Sequence, residues 1–513
     1  MHLPTERSLG ILGTAALLGV LGDALLRATP WGINLPLWMG VAAAGGWALL
    51  PTVPDRTNGR GSVAGWPLVG VMFFALCLAW RDSGFLQFWD GVAILAALAL
   101  PALQMHGVRL RLARIVDYGL AFAATGANAA VGPLMLTSAD IHGSARSGRN
   151  RWARAAVVGV VLTIPVLLVF GGLLMSADPG FERLVRSLVD WDFATILSHL
   201  LLTGFVAWIA AGYLRTLATA DDRMLAFATS ALNKAPDKPS LGIVEVGIPL
   251  GTLSVIFLGF VVVQARYLFG GEAVILETAG LTYAQYARGG FFQLITVATL
   301  LLPLLLGAEW LLDTSRPGTV TRFRSLAIAL LVLVGLIMLS ALRRMQLYMD
   351  AYGLTEDRFY ATAFMFWIGV VLALFSATVL RGMRNRFAFG MVTTGFATLA
   401  ALNVVNPDAV IVRTNLARAE AGARLDLEAV GRLHADAIPE LVARAPAVLT
   451  AEQCEVFRAT VDRLAPREAV DWRTWNLGRA RARRALRRYG RPDCAGLQSE
   501  DAGSDGPALR TDG

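Results

Sequence analysis

The chain has 513 residues, 55% of them hydrophobic and only 16% charged, with a net charge of +8 and a mean hydropathy of +0.55. That mix excludes a wholly water-soluble domain and a disordered chain, and three cysteines are too few for a disulfide-built scaffold.

Apolar runs long enough to cross a ~30 Å hydrocarbon core as helices recur near 8–26, 31–51, 63–80, 86–106, 152–175, 193–214, 241–265, 290–312, 325–347, 360–381 and 386–405. They predict an all-α fold, a polytopic transmembrane helical bundle of about 11–12 spans over residues 1–406. The first run follows the charged start MHLPTER but has no clear small-residue cleavage site, so it reads as a retained helix rather than a signal peptide.

Val116 to Asp140, VDYGLAFAATGANAAVGPLMLTSAD, holds Thr125, Gly126, Asn128, Gly132 and Pro133, which are expected to interrupt a helix. It reads as re-entrant over 116–140, the alternative being an ordinary twelfth span with a bend. Only a non-crossing segment keeps the basic loops around Arg56, Arg109, Arg215, Arg316 and Arg381 on one face. The positive-inside rule then puts the N-terminus in the cytoplasm and the C-terminal tail outside. At 178–190, Asp178 and Pro179 can start a helix whose apolar stripe Phe181, Leu184, Val185, Leu188 and Val189 lies on the membrane surface.

Polar residues at membrane depth are the candidate functional groups: Asp23, Asp90, His199, Glu245, Gln264, Gln293, Glu309 and Asn403. Glu245 stands out because Pro249 and the Gly247–Gly251 spacing follow it in the same run. It reads either as a proton or ion site or as a carboxylate bonded to a neighbouring helix. In the following loop Tyr283 and Tyr286 suit the headgroup zone, as a tyrosine belt or as ligand contacts, and Arg288 can reach phosphates or Glu272 and Glu277.

From Pro407 the composition turns water-compatible, with 17 Arg against 16 Asp plus Glu. Short packed helices are expected over 407–495 and disorder over 496–513. Cys454 and Cys494 both fall in this tail, where an oxidising compartment would allow a disulfide. The segment DWRTWNLGRARARRALRR is basic and aromatic, but the near-neutral tail argues for contact with anionic lipid or with the loops rather than with nucleic acid.

No Walker A loop, nucleophile elbow or metal-ligand spacing occurs, so no cofactor, no metal and no catalytic residue is expected, and the chain reads as a non-enzyme.

Several segments in fixed order carry a resemblance: LTYAQYARGGFFQL, AYGLTEDRFYA with Arg358, LNVVNPDAVIVRTNL, LDLEAVGRLHADAIPEL and DWRTWNLGRARA. Together they resemble a family of bacterial polytopic membrane proteins known only as a domain of unknown function, over roughly Ala156 to Arg484. The resemblance implies a multi-pass protein of the cytoplasmic membrane and carries no catalytic residue. Where it implies YARRGFFEL, this chain has Gly289 and Gln293. Two functions are expected: handling of a small solute, ion or lipid through the bundle, or a non-catalytic envelope sensor or scaffold whose tail binds a protein partner.

Overall fold

The computed structural model describes residues 5–49, 67–105, 109–136, 174–175, 177–181, 193–218, 241–269, 291–467 and 471–490. Among them every regular element is helical, apart from one isolated bridge between Leu241 and Leu312. The fold is therefore the all-α polytopic bundle expected from the apolar runs, since a helix satisfies its own backbone in lipid. Among the described residues, eight helices are long and apolar enough to span: Arg7–Leu26, Gly84–Pro101, Thr195–Ala218, Ile243–Gln264, Phe291–Leu311, Thr319–Tyr352, Glu356–Thr378 and Arg384–Val405. The expected span at 152–175 and most of the surface helix at 178–190 lie outside the described residues. Within the latter, Asp178 accepts hydrogen bonds from the Gly180 and Phe181 amides, both at 2.7 Å.

The N-terminal half comprises α1 (Thr5–Leu26), α2 (Asn34–Leu49), α3 (Pro67–Trp80), α4 (Gly84–Met105), α5 (Ile115–Met135) and α6 (Phe193–Ala218). Small residues let these helices close on one another. A methyl group at Gly19 of α1 would stand 2.6 Å from the Thr203 carbonyl of α6, and one at Gly212 of α6 would stand 2.4 Å from the Asn128 carbonyl of α5. Helix α5 is continuous through Thr125, Gly126, Asn128 and Pro133, so the expected interruption is corrected. The cause is packing: Gly and Asn cost an isolated helix, but here Gly132 and Asn128 fit the groove at Gly212.

The C-terminal half comprises α7 (Ile243–Phe269), α8 (Phe291–Leu311), α9 (Thr319–Tyr352), α10 (Glu356–Thr378) and α11 (Phe387–Val405). Leu250, Leu301, Leu330, Val334, Ile368 and Phe375 are among the side chains that form its core. Outward-facing Val255, Ile256, Leu258 and Val262 of α7 supply the apolar surface that hydrocarbon needs. The halves meet where Phe74 of α3 packs edge-on against Phe396 of α11, with ring centroids 5.4 Å apart.

Beyond the bundle, α12 (Pro407–Glu420), α13 (Leu427–Val430), α14 (Ile438–Arg444), α15 (Ala451–Leu464) and α16 (Leu477–Tyr489) share a second core built from Val412, Leu416, Ile438, Leu441 and Phe457. Leu354 belongs to this core and Met349 packs against it. That is a consequence of length, because the 34-residue α9 reaches about 50 Å and overshoots a ~30 Å hydrocarbon layer.

Candidate functional site

The tail sits on one end of the bundle, over the corners α1–α2, α3–α4 and α9–α10 and the end of α11. Each corner exposes helix-terminal backbone groups that need partners. The Ile33 amide donates to the Trp475 carbonyl at 2.7 Å. Asn476, fully buried, donates to the carbonyls of Leu78 and Arg81, both at 2.9 Å, and so closes the end of α3. Asn415 holds Leu354 from both sides, accepting from its amide at 2.8 Å and donating to its carbonyl at 2.7 Å.

Arg81 is the centre of this junction. Its side chain is 4% exposed. Nε donates to the Asn403 carbonyl at 2.6 Å and Nη2 to the Val404 carbonyl at 3.2 Å, so its charge lies on the C-terminal end of α11, where a helix favours a cation. Its Nη1 stands 3.6 Å from Asp436 Oδ1 in the tail. The next residue ties the same two parts: the Asp82 amide donates to Asp436 Oδ2 at 2.6 Å, and the Asp82 carboxylate takes Arg479 Nη1 at 2.8 Å.

A group of three further residues adjoins them. Asn406 adopts φ 58, in the left-handed region that asparagine tolerates, and turns the chain sharply from α11 into α12 with Pro407 at its start. This places Asp408 in the first turn of α12, wholly buried. Asp408 Oδ2 accepts from the His434 amide at 3.0 Å and lies 3.5 Å from His434 Nδ1. Glu356 enters from the first turn of α10, and one ligand-type atom from each of Glu356, Asp408 and His434 lies within 4.8 Å of the others. One turn further, Tyr360 stacks on Phe85 with centroids 3.7 Å apart and its hydroxyl is 3.2 Å from Ser83 Oγ.

Electrostatics mark the junction as unusual. The Asp408 carboxylate beside the ring makes His434 hold a proton more tightly than usual; burial opposes this, while Glu356 and Asp82 add to it. Burial pushes the Asp436 carboxyl up to about 6, against the Asp82 amide and Arg81. It also raises Asp82, against the pull of Arg479.

The residues singled out from the sequence fall elsewhere. Glu245 is exposed in the first turn of α7, where the helix N-terminus favours its charge. Arg358 lies 3.9 Å over the Tyr348 ring and donates to the Gly353 carbonyl, fastening the α9–α10 corner. Tyr283, Tyr286 and Arg288 lie outside the described residues. Asp90 and Asn403 do come together, with Asn403 Nδ2 donating to Asp90 Oδ1 at 2.9 Å. The ligand-type group was missed because its members stand at 356, 408 and 434, far from any local spacing rule. A signal was present: AYGLTEDRFYA, NPDA, LHADAIPEL and DWRTWNLGRARA all converge on this junction.

A family model described as a domain of unknown function, DUF4153, matches residues 68–443, a range that contains Arg81, Asp82, Glu356, Asp408, His434 and Asp436. No curated protein and no solved structure matches the chain.

Proposed function

The chain belongs to the family of the domain of unknown function DUF4153, and from that premise we propose that it is a non-catalytic envelope sensor or scaffold, in which the docked tail and the bundle move as one unit. The observation that carries this reading is Arg81, which holds the end of α11 and the tail's Asp436 from a single buried side chain. A change of partner at the tail would thus be felt directly at three bundle corners. The protein is placed in the bacterial cytoplasmic membrane, in contact with its lipids, with the N-terminus in the cytoplasm, the tail outside and a protein partner on the tail; nucleic acid has no part in this reading.

Three observations support that orientation. Cys454 takes part in a disulfide, while Cys77 is free and buried; Cys494 lies outside the described residues. The basic corners at Arg316 and Arg384 stand at the end of the bundle opposite the tail, Arg384 pairing with Glu309 at 2.9 Å. Helix α5 begins at that basic end, where the Tyr118 hydroxyl donates to the Leu110 carbonyl, and Gly132 meets Gly212 close to the end of α6, which favours a non-crossing segment.

The test is complementation of a deletion strain. Removing Pro407 to Gly513, or Arg81→Met in the full chain, is expected to abolish complementation, while Glu245→Gln retains it. The reverse pattern would sink the sensor reading in favour of solute handling. One observation favours that second reading: Asp90 is fully buried within a span and its Oδ2 has no hydrogen-bond partner, an arrangement suited to a proton or small cation. Asp90→Asn would then abolish complementation without loosening the tail.

A further inference from the structure

The group at Glu356, Asp408 and His434 is built differently from the ion pairs beside it. Arg81 is engaged with Asp436 and Arg479 with Asp82. The charged groups that bear on Glu356 are Asp408, His434 and Asp357, so one histidine is the only positive charge among them. One neighbouring buried atom also goes unused: Asp408 Oδ1 has no hydrogen-bond partner, whereas Asp408 Oδ2 takes the His434 amide and faces His434 Nδ1 at 3.5 Å. An unsatisfied carboxylate oxygen on a wholly buried side chain is costly unless something cationic completes it.

We propose that Glu356, Asp408 and His434 form a binding site for one divalent transition-metal cation, zinc being the best match to one imidazole nitrogen and two carboxylate oxygens. The spacing suits a site awaiting its ion. In a tetrahedral site with ~2 Å bonds the ligand atoms stand about 3.3 Å apart. From a separation of at most 4.8 Å, side-chain rotation suffices to close them. Access is available because the His434 side chain is 32% exposed. Asp408 is already oriented by the His434 amide on its other oxygen, the kind of supporting bond that metal carboxylates require.

Binding changes the ring. His434 Nε2 accepts the Gly84 amide at 3.2 Å, so the neutral ring carries its proton on Nδ1. A metal on Nδ1 needs that lone pair, which transfers the proton to Nε2 and releases the Gly84 contact at the α3–α4 corner. No bond to carbon forms or breaks; a protonated ring gives one proton to solvent as the metal takes Nδ1 and keeps the other on Nε2.

The test uses the full-length protein in mild detergent, stripped with chelator and titrated with zinc chloride by calorimetry, with manganese chloride in parallel. The wild type should bind one equivalent of zinc. Glu356→Gln and His434→Gln should each weaken it by at least about tenfold. Because replacing buried Asp408 threatens folding, these two more exposed positions carry the test, with circular dichroism confirming helicity. Glu440→Gln, on a surface pair with Arg413, should leave binding unchanged. Absence of saturable zinc binding by the wild type, or equal affinity in both variants, would overturn the proposal. It stands independently of the sensor reading, since binding is read by heat and stoichiometry rather than by phenotype.

Discussion

Single side chains set the junction's stability, because each serves several backbone groups at the contact between bundle and tail. Arg81→Met removes one charge and leaves Asp436 and the buried Asn403 carbonyl beside a hydrocarbon side chain. It should cost about 3 kcal/mol, read as a lower denaturation midpoint of the detergent-solubilised chain. Asn415→Ala strips the Leu354 amide and carbonyl of their partner at once and should cost about 2 kcal/mol by the same measurement. A loss below a few tenths in either variant would mean that the junction relaxes around the gap. Asn406 offers a different check. Asn406→Gly keeps the left-handed turn and should leave the tail docked, whereas Asn406→Val forces a branched residue into φ 58 and should release it to protease.

At the scale of elements, the sequence told more about helices than about their contacts. Long apolar runs announced the spans because hydrocarbon demands both length and an internally bonded backbone. Helix α5 shows the limit: its Gly, Asn and Pro residues look like breaks along the chain, yet the helix runs through them, and Gly132 and the Asn128 backbone meet Gly212 of α6. Gly212→Leu should therefore separate α5 from α6 and lower the yield of folded protein in detergent gel filtration, while Gly251→Leu, facing open space on α7, should not. Glu245 shows a second limit. Its place in an apolar run reads as a proton or ion site or as a carboxylate bonded to a neighbour, and the fold puts it exposed in the first turn of α7. The ligand-type group was invisible to spacing because α10, α12 and the loop before α14 bring its members together only after folding.

For the whole molecule, composition sets a tail apart from Pro407 onward but says nothing of how that tail meets the bundle. Charge and hydropathy describe a soluble appendage, whereas in the structure Leu354, from the α9–α10 corner of the bundle, belongs to the tail's core and Met349 packs against both cores. The full chain should accordingly resist proteolysis between Asn406 and Leu427, and Arg81→Met should make that stretch cleavable several-fold faster under identical conditions. Orientation is read separately: a compartment reporter fused after Asn406 should be active outside the cytoplasm, and cytoplasmic activity would reverse the assignment of both faces.

The contact between Trp475 and Ile33 joins parts of the chain that a ribosome makes more than four hundred residues apart. Until α16 has been synthesised, the corners formed by the first four helices lack the partners that Trp475, Asn476 and Arg479 give them. Completion of the chain is thus a physical checkpoint on its own assembly. A product stopped before Asp471 should be inserted normally and then cleared by membrane proteases, so its half-life, rather than its synthesis, should reveal the missing roof.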